Sequence, residues 1–375
     1  MYIPTDNKTH IFITIENNRP ATRRTFNLRF EASVDEGVEI DWGDGSEIEI
    51  SSGTTAKVYT HNYTAAGDYE IKLKVVEGTL TFPGTDGDGG YSLSGSRAKG
   101  PSYGVCFMIR KVYFGSNIQT IGNCALHSCY ALTEVTIPYG VTKLGNNLFY
   151  NDYQLTYCTI PNSVTDTAGG VFQNCYKISY LSIPRSLTSI KDYDFYNLYS
   201  LQRIEIPDTV TTMGMYTIGG AHTIKKVILP NSITSIGSGL LQNADALREL
   251  TLPANLAGTL GQYTASNCHS LIHITIPSGI TEIANQAFSH CYSLMSVTIP
   301  ATVQTIGNAA FRYNYGMGEY HIRATTPPTI GSTVFNNYPS DCVIYVPYSA
   351  DHSVLETYKT TTNWSTYASL MVEEV

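Results

Sequence analysis

Leu294-Met295-Ser296-Val297-Thr298-Ile299-Pro300 is the stretch that decides the fold. Its Ile-Pro ending, or a Leu-Pro equivalent, returns at Pro138, Pro161, Pro184, Pro207, Pro230, Pro253, Pro277 and Pro300. The steps are 23 residues, except for one of 24 between Pro253 and Pro277. A fixed period of this length marks a solenoid, in which each unit buries its apolar face only against its neighbours.

Counting each unit from its proline exposes the pattern; Gly115 holds that place in the first unit, after Lys111-Val112-Tyr113-Phe114. Position +3 is branched and apolar: Val141, Val164, Leu187, Val210, Ile233. Position +6 is usually apolar (Ile121, Leu144, Ile190, Met213, Ile236, Ile306), and +11 is often Phe (Phe149, Phe172, Phe195, Phe311). Position +14 is Cys in Cys129, Cys175 and Cys291, and +17 is Leu or Ile from Leu132 to Leu294. Leu-x-x-Val-x-Ile puts three apolar side chains inward, and its last three residues alternate as a strand does. Stacked coils turn that strand into a parallel sheet. Thr-x-Ile-Gly reads as a second short extended piece, and Ala-Phe-x-x-Cys as a short helical turn. Proline closes the strand where its missing N–H does little harm. The extra residue before Pro277 reads as a loop insertion, with register resuming at Leu271, Ile274 and Ile276.

At 375 residues the chain has room for two or three domains. Charged residues make up only 14%, below the usual ~25%. Thr, Ser, Asn and 28 Tyr supply the polar surface instead, which favours neutral polar and aromatic contacts. A net charge of −8 argues against nucleic acid, which needs a basic stripe. No apolar run reaches the ~18 residues of a membrane span, so no membrane insertion is expected. Met1 to His10 lacks the basic and apolar regions of a secretory signal; either one was removed or none was used. Of the eight cysteines (Cys106, Cys124, Cys129, Cys158, Cys175, Cys268, Cys291, Cys342), an even count fits disulfides. Their spacing follows the repeat, which fits free, buried thiols packed as small apolar groups, and thiols are the expectation.

Before the repeats, His10–Ile15, Thr25–Phe30, Val38–Trp42 and Tyr69–Val75 alternate apolar and polar, as strands with one buried face do. Asp41-Trp42-Gly43-Asp44-Gly45, Tyr59-Thr60-His61-Asn62-Tyr63 and Ala66-Gly67-Asp68-Tyr69 resemble a PKD-type domain. That resemblance implies an immunoglobulin-like β-sandwich of a bacterial surface protein, acting as spacer or docking module. Gly84 to Pro101 is rich in Gly and Ser and reads as a linker or irregular cap. Asp86-Gly87-Asp88-Gly89 is a flexible turn on this reading; a calcium loop of the EF-hand type would need a Glu where Arg97 stands.

The repeats resemble the BspA-like leucine-rich repeats of bacterial surface proteins, over about residues 110–324. The tail fits as well: Ala324-Thr325-Thr326-Pro327-Pro328, Val343-Ile344-Tyr345-Val346-Pro347 and Trp364-Ser365-Thr366-Tyr367. Ser353-Val354-Leu355-Glu356 reads as a capping box opening a short helix, and a helix with Trp364 behind it would close the last coil. The expectation is therefore a β-rich chain with four segments. Residues 1–80 form a PKD-like sandwich, 81–109 a Gly/Ser-rich linker and N-terminal cap, 110–324 the repeats, and 325–375 a C-terminal cap.

No zinc helix, Walker loop, nucleophile elbow or Cys-x-x-Cys pair is present in the sequence. His269 and His273 are four apart, but register places His273 in a strand, away from helical metal ligation. Cys268 beside His269 is a nucleophilic pair on paper only, because Cys268 takes a buried-thiol position. No catalytic residue, metal or cofactor is expected. Two candidate binding features remain. One is position +15, just after the Cys position: Tyr130, Tyr153, Tyr176, Tyr199, His222, Asp245, His269, Tyr292 and Tyr315. At ~4.8 Å per coil this is a long strip of rigid rings with hydroxyl tips. It either contacts a partner or stacks on itself and shields the coil edge. The other is the outward sheet face, with Glu134, Tyr157, Tyr180, Arg203, Glu205, Lys226, Glu249, His273 and Ser296, a binding face or a self-compensating solvated one. The expected function is non-catalytic recognition or adhesion at a bacterial surface, with a protein, matrix component or polysaccharide as ligand. The alternative is a phage virion protein. A polysaccharide-degrading enzyme would need paired carboxylates across a cleft, and none can be nominated.

Overall fold

The computed structural model describes residues 6–17, 24–83 and 107–374. The Asp86–Gly89 turn and Cys106 lie outside the described residues. The chain divides into two compact units, Met1–Tyr199 and Ser200–Val375.

The first unit opens with strands β1 (Thr9–Ile15), β2 (Thr25–Ala32), β3 (Val38–Asp41), β4 (Glu49–Ile50), β5 (Lys57–Asn62), β6 (Gly67–Val75) and β7 (Leu80–Phe82). Coil strands follow: β8 (Ile109–Tyr113), β9 (Ile118–Ile121), β10 (Glu134–Thr136), β11 (Lys143–Leu144), β12 (Tyr157–Thr159) and β13 (Asp166–Thr167). Alternation explains the early strands: β2 buries Phe26, Leu28, Phe30 and Ala32, and only every second residue. The strands form two sheets, ordered β12-β10-β8-β1-β6-β3-β4 and β13-β11-β9-β7-β2-β5. Thus β1 pairs antiparallel with β8, and β7 pairs parallel with β9. The N-terminal strands therefore share both sheets with the first coils. Strand β7 lies across the expected boundary at residue 80.

The Trp42 turn is structural. Its indole is buried, donates to Glu49 at 3.0 Å, stacks on His61 at 4.9 Å, and its carbonyl accepts the Tyr63 hydroxyl at 2.9 Å. Gly43 has φ +79, and a Cβ there would sit 2.4 Å from the Glu70 carbonyl oxygen, so only glycine fits.

Within each unit, equivalent positions lie side by side. In the first, Glu134 pairs with Tyr157 and Lys143 with Asp166. In the second, Lys226 pairs with Glu249, Glu249 with His273, His273 with Ser296, and Ser296 with Glu319. These pairs build a front sheet, from the strand before each proline, and a back sheet, from the Thr-x-Ile strand. After the strand, each proline carbonyl accepts the N–H three residues on, as in Val164→Pro161 at 3.0 Å and Val303→Pro300 at 3.1 Å. The leucines and isoleucines at +3, +6 and +17 line the core, with Phe149 stacked on Phe172 at 5.1 Å and Phe288 on Phe311 at 5.5 Å.

The Ala-Phe-x-x-Cys stretch forms no helix. Each coil has two left-handed residues four apart, such as Asn147 and Asn151 or Asn243 at the second position. Alternate N–H groups donate to the next coil: Cys124 to Asn146, Leu126 to Leu148 and Ser128 to Tyr150, at 2.8–3.1 Å. Left-handed residues break the α-helical path, and the N–H groups are spent between coils. The extra residue before Pro277 is also not in a loop. It lies in the back strand Ala257–Leu260, where Gly258 takes φ +84 and register shifts against Gly279–Ile283.

Helix α1 (Ser353–Thr360) is present, but Ser353 does not cap it. His352 holds the N-cap place; the Ser349 hydroxyl accepts from Val354 N–H at 3.1 Å and Asp351 from Ser353 N–H at 3.1 Å. The box was misread by one residue, because its Ser lies inside the helix. A 3-10 helix, Trp364–Leu370, follows. Trp364 is fully buried, donates to the Pro328 carbonyl at 2.7 Å and packs on Phe335 and Tyr358. No helix among the described residues is long and apolar enough to cross a membrane.

Candidate functional site

Stacking at one coil per repeat brings the +15 side chains into contact. In the first unit Tyr130, Tyr153, Tyr176 and Tyr199 form one stack, with centroid spacings of 5.1, 4.7 and 4.3 Å and interplanar angles falling from 22° to 2°. Phe107 closes its end against Tyr130 at 4.9 Å. Both faces of Tyr153 and Tyr176 are therefore occupied by neighbours, and only edges and hydroxyls remain for solvent. Burial and the adjacent tyrosines push the Tyr176 phenol up to about 12. The rings stack on one another along the coil edge.

In the second unit the row changes chemistry. Asp245 receives His222 Nδ1 at 2.7 Å on one oxygen and His269 Nδ1 at 3.1 Å on the other. His269 then stacks on Tyr292 at 4.6 Å, and Tyr292 tilts against Tyr315 at 5.5 Å. Tyr292 and Tyr315 are 40% and 55% exposed, so this end presents ring surface.

Just before the tyrosines lies a row that residue-type reasoning missed. Asn174 donates its amide to Asn151 at 2.7 Å and accepts from Asn197 at 2.8 Å; Asn267 donates to Asn243 at 2.7 Å. Asn tolerates the left-handed backbone there, and its amide links adjacent coils. The signal was visible: Asn stands at +13 in four units and one place later in the unit with the extra residue. Hydroxyls form further rungs. Ser163, Ser232 and Thr302 each donate to a carbonyl of the preceding coil at 2.7–2.8 Å. Much of the Ser, Thr and Asn content holds coils together and is not free surface.

The front-sheet face is more accessible. Tyr157 and Tyr180 are 37% and 53% exposed. Arg203, Lys226, Glu249 and His273 are exposed, and Ser296 is half-buried. Glu134 is a correction: it is 5% exposed, held by Lys111 at 3.0 Å in the neighbouring strand, and does not stand on the open face. Charge compensation holds for several members. Lys226 pairs with Glu249 at 2.6 Å, and Arg203 with Glu205. Where β8 joins β1, an open groove of about 420 Å³ is lined by Phe12, Thr14, Asp68, Glu70, Arg110 and Lys111.

The seven described cysteines are free. Cys175, Cys268 and Cys291 point their thiols at backbone carbonyls 3.2–3.3 Å away. Burial pushes the Cys268 thiol well above its ordinary range, so it stays protonated. His269 turns its Nδ1 to Asp245. Among the described residues no three His, Cys, Asp or Glu side chains gather as a metal site.

The profile of the family described as BspA type leucine rich repeat region, six copies, matches residues 102–221 and 219–341. No curated protein matches the chain. Among solved structures, a leucine rich cell surface protein of Faecalibacterium prausnitzii A2-165 is similar at 25% identity and TM-score 0.41, over 55% of this chain. The match spans 64% of that protein's length. A leucine-rich repeat protein of Bacteroides ovatus ATCC 8483 is similar at 19% identity and TM-score 0.37, over 64% of this chain and 84% of that one. The pneumococcal vaccine antigen PcpA is similar at 16% identity and TM-score 0.42, over 72% of this chain and 80% of that one.

Proposed function

The chain belongs to the BspA-type leucine-rich repeat family, and from that premise we propose a non-catalytic recognition or adhesion protein of a bacterial surface. Its ligand is a host protein, matrix component or polysaccharide, held on the front-sheet face of the coils. One observation carries this reading. The side chains at Tyr157, Tyr180, Arg203, Lys226 and His273 stand exposed while adding nothing to the core. Exposed aromatic groups on the coils of the first unit and exposed cationic groups on those of the second each suit binding at small entropic cost. The +15 stack, with its ring faces occupied, serves the scaffold, and Tyr292 and Tyr315 are its accessible end. The N-terminal sandwich is read as PKD-type. Its sheets continue into the first coils, which supports a capping role for it. The phage virion reading draws no support from the family or from the solved relatives.

The test is a screen of the full chain against glycans and matrix proteins, followed by two variants. Tyr157→Ser with Tyr180→Ser is expected to weaken binding to a ligand of the first unit by about tenfold, with the melting temperature held. Tyr153→Ser, Tyr176→Ser and Tyr199→Ser together are expected to lower the melting temperature and spare the affinity. Binding lost only in the second variant would move the site to the stack. Measurable turnover of any glycan in the panel would overturn the non-catalytic reading.

A further inference from the structure

We propose that the second unit carries a binding ledge for a polyanionic polysaccharide, centred on Lys225 and Arg248. The inference rests on the recognition reading above and names a ligand class for one part of that face. Residues 200–375 hold eleven Asp and Glu but only seven Lys and Arg, and four of the seven are Arg203, Lys225, Lys226 and Arg248. These four fall in three successive coils at the start of the front strand, and all are exposed.

The remaining three cations of this unit are engaged. Arg323 pairs with Glu374 at 2.6 Å, Lys359 with Glu356 at 3.2 Å, and Arg312 lies over the Tyr313 ring at 4.4 Å. Within the ledge, Arg203 is matched by Glu205 and Lys226 by Glu249. Lys225 and Arg248 have no ion pair or side-chain hydrogen bond among the described residues. An acidic chain thus keeps two unmatched cations side by side. The Arg248 N–H donates to the Lys225 carbonyl at 2.9 Å, which fixes the two residues one coil apart.

That spacing, ~4.8 Å between neighbouring strands, is comparable with the rise of one sugar ring along an extended polysaccharide. An arginine and a lysine one step apart can therefore engage charged groups on successive sugars, the guanidinium in bidentate fashion. The surround favours a hydroxyl-rich partner over an acidic protein surface. Along the same face Thr251, Thr275 and Thr298 expose their side chains, and Ile228, 56% exposed, offers an apolar contact for a sugar ring.

The experiment uses the full chain and four soluble polymers, with affinity read by titration calorimetry at low and high salt. Polygalacturonate supplies carboxylates, dextran sulfate supplies sulfates, dextran is neutral, and polyglutamate is an anionic polypeptide. The ledge predicts that one or both anionic polysaccharides bind at least about tenfold tighter than dextran and than polyglutamate. Salt should weaken this binding, because the ledge is exposed. K225Q/R248Q should lose about tenfold in Kd with an unchanged melting temperature. K225R/R248K should retain it, and Lys359→Gln, the loss of one cation in the terminal helix, should have no effect. Whichever of polygalacturonate and dextran sulfate binds tighter identifies the charged group. Failure of both anionic polysaccharides to bind, equal binding to polyglutamate, or K225Q/R248Q indistinguishable from wild type would each overturn the ledge. Loss of polysaccharide binding only in the Tyr157→Ser, Tyr180→Ser variant would overturn the ledge while leaving the recognition reading in place. No binding to anything in the wider screen would remove that reading itself.

Discussion

Asp194 is an ionisable group held inside the scaffold. It is 1% exposed, accepts the Thr167 hydroxyl at 2.6 Å and the Lys191 N–H at 2.9 Å, and ties the turn of its coil. Burial pushes its carboxyl up to about 6, despite those donors. A carboxyl raised on folding contributes stability that is whole below its unfolded value of 3.8 and is lost as pH rises through about 6. The shift corresponds to about 3 kcal/mol. Urea midpoints between pH 4 and pH 7 should therefore fall in wild type relative to Asp194→Asn, whose side chain does not ionise; parallel profiles would refute the assignment. Nothing in the sequence marks Asp194, since its repeat neighbours at +10 are Leu148 and Val171. The buried cysteines were legible, because their spacing followed the core. Glu134 was not: its register was right, but Lys111 in the adjoining strand closes over it.

Rows of equivalent residues are the working elements of this fold, and they differ in how well the sequence announces them. Strands were readable from alternation, and the terminal helix from the tail that precedes Trp364. The turn row was misread as helical, because a period of three or four apolar residues fits a helix and a chain of tight turns equally. What separates the two is the left-handed pair in every coil, and Asn at one of those places is its trace. Asn174→Ala should test the row. It removes amide bonds to both Asn151 and Asn197 and places an alanine in the left-handed region. A loss of about 2 kcal/mol is expected in denaturant unfolding, whereas Asn174→Gly should recover part of it. Equal effects of the two would mean that the backbone conformation contributes nothing. The tyrosine row was recognised from its spacing, whereas the tight stacking that covers the ring faces of Tyr153 and Tyr176 depends on coil geometry that the sequence does not state.

For the molecule as a whole, the 23-residue period passes through residues 199 and 200 without change in the sequence, and each unit keeps register between its own coils. The fold class was legible because a repeat states its pattern many times over. The candidate face was nominated from register, at Tyr157, Tyr180, Arg203, Lys226 and His273; a ligand was not legible, because the repeat leaves those side chains free to vary. Low charge looked like a property of the surface alone, yet hydroxyl and amide rungs between coils account for much of the polar content. All of this depends on one coil per 23 residues. Thr156 donates its N–H and its hydroxyl to the Thr133 carbonyl, both at 3.0 Å, so these residues are neighbours, whereas Ser179 is the equivalent residue one repeat further on. Disulfide trapping measures that directly, since a bridge needs Cα atoms within roughly 7 Å. Under mild oxidation, peptide mapping of T133C/T156C should show a 133–156 link and T133C/S179C should show none; a 133–179 link formed as readily, or no 133–156 link, would contradict the stacked-coil account.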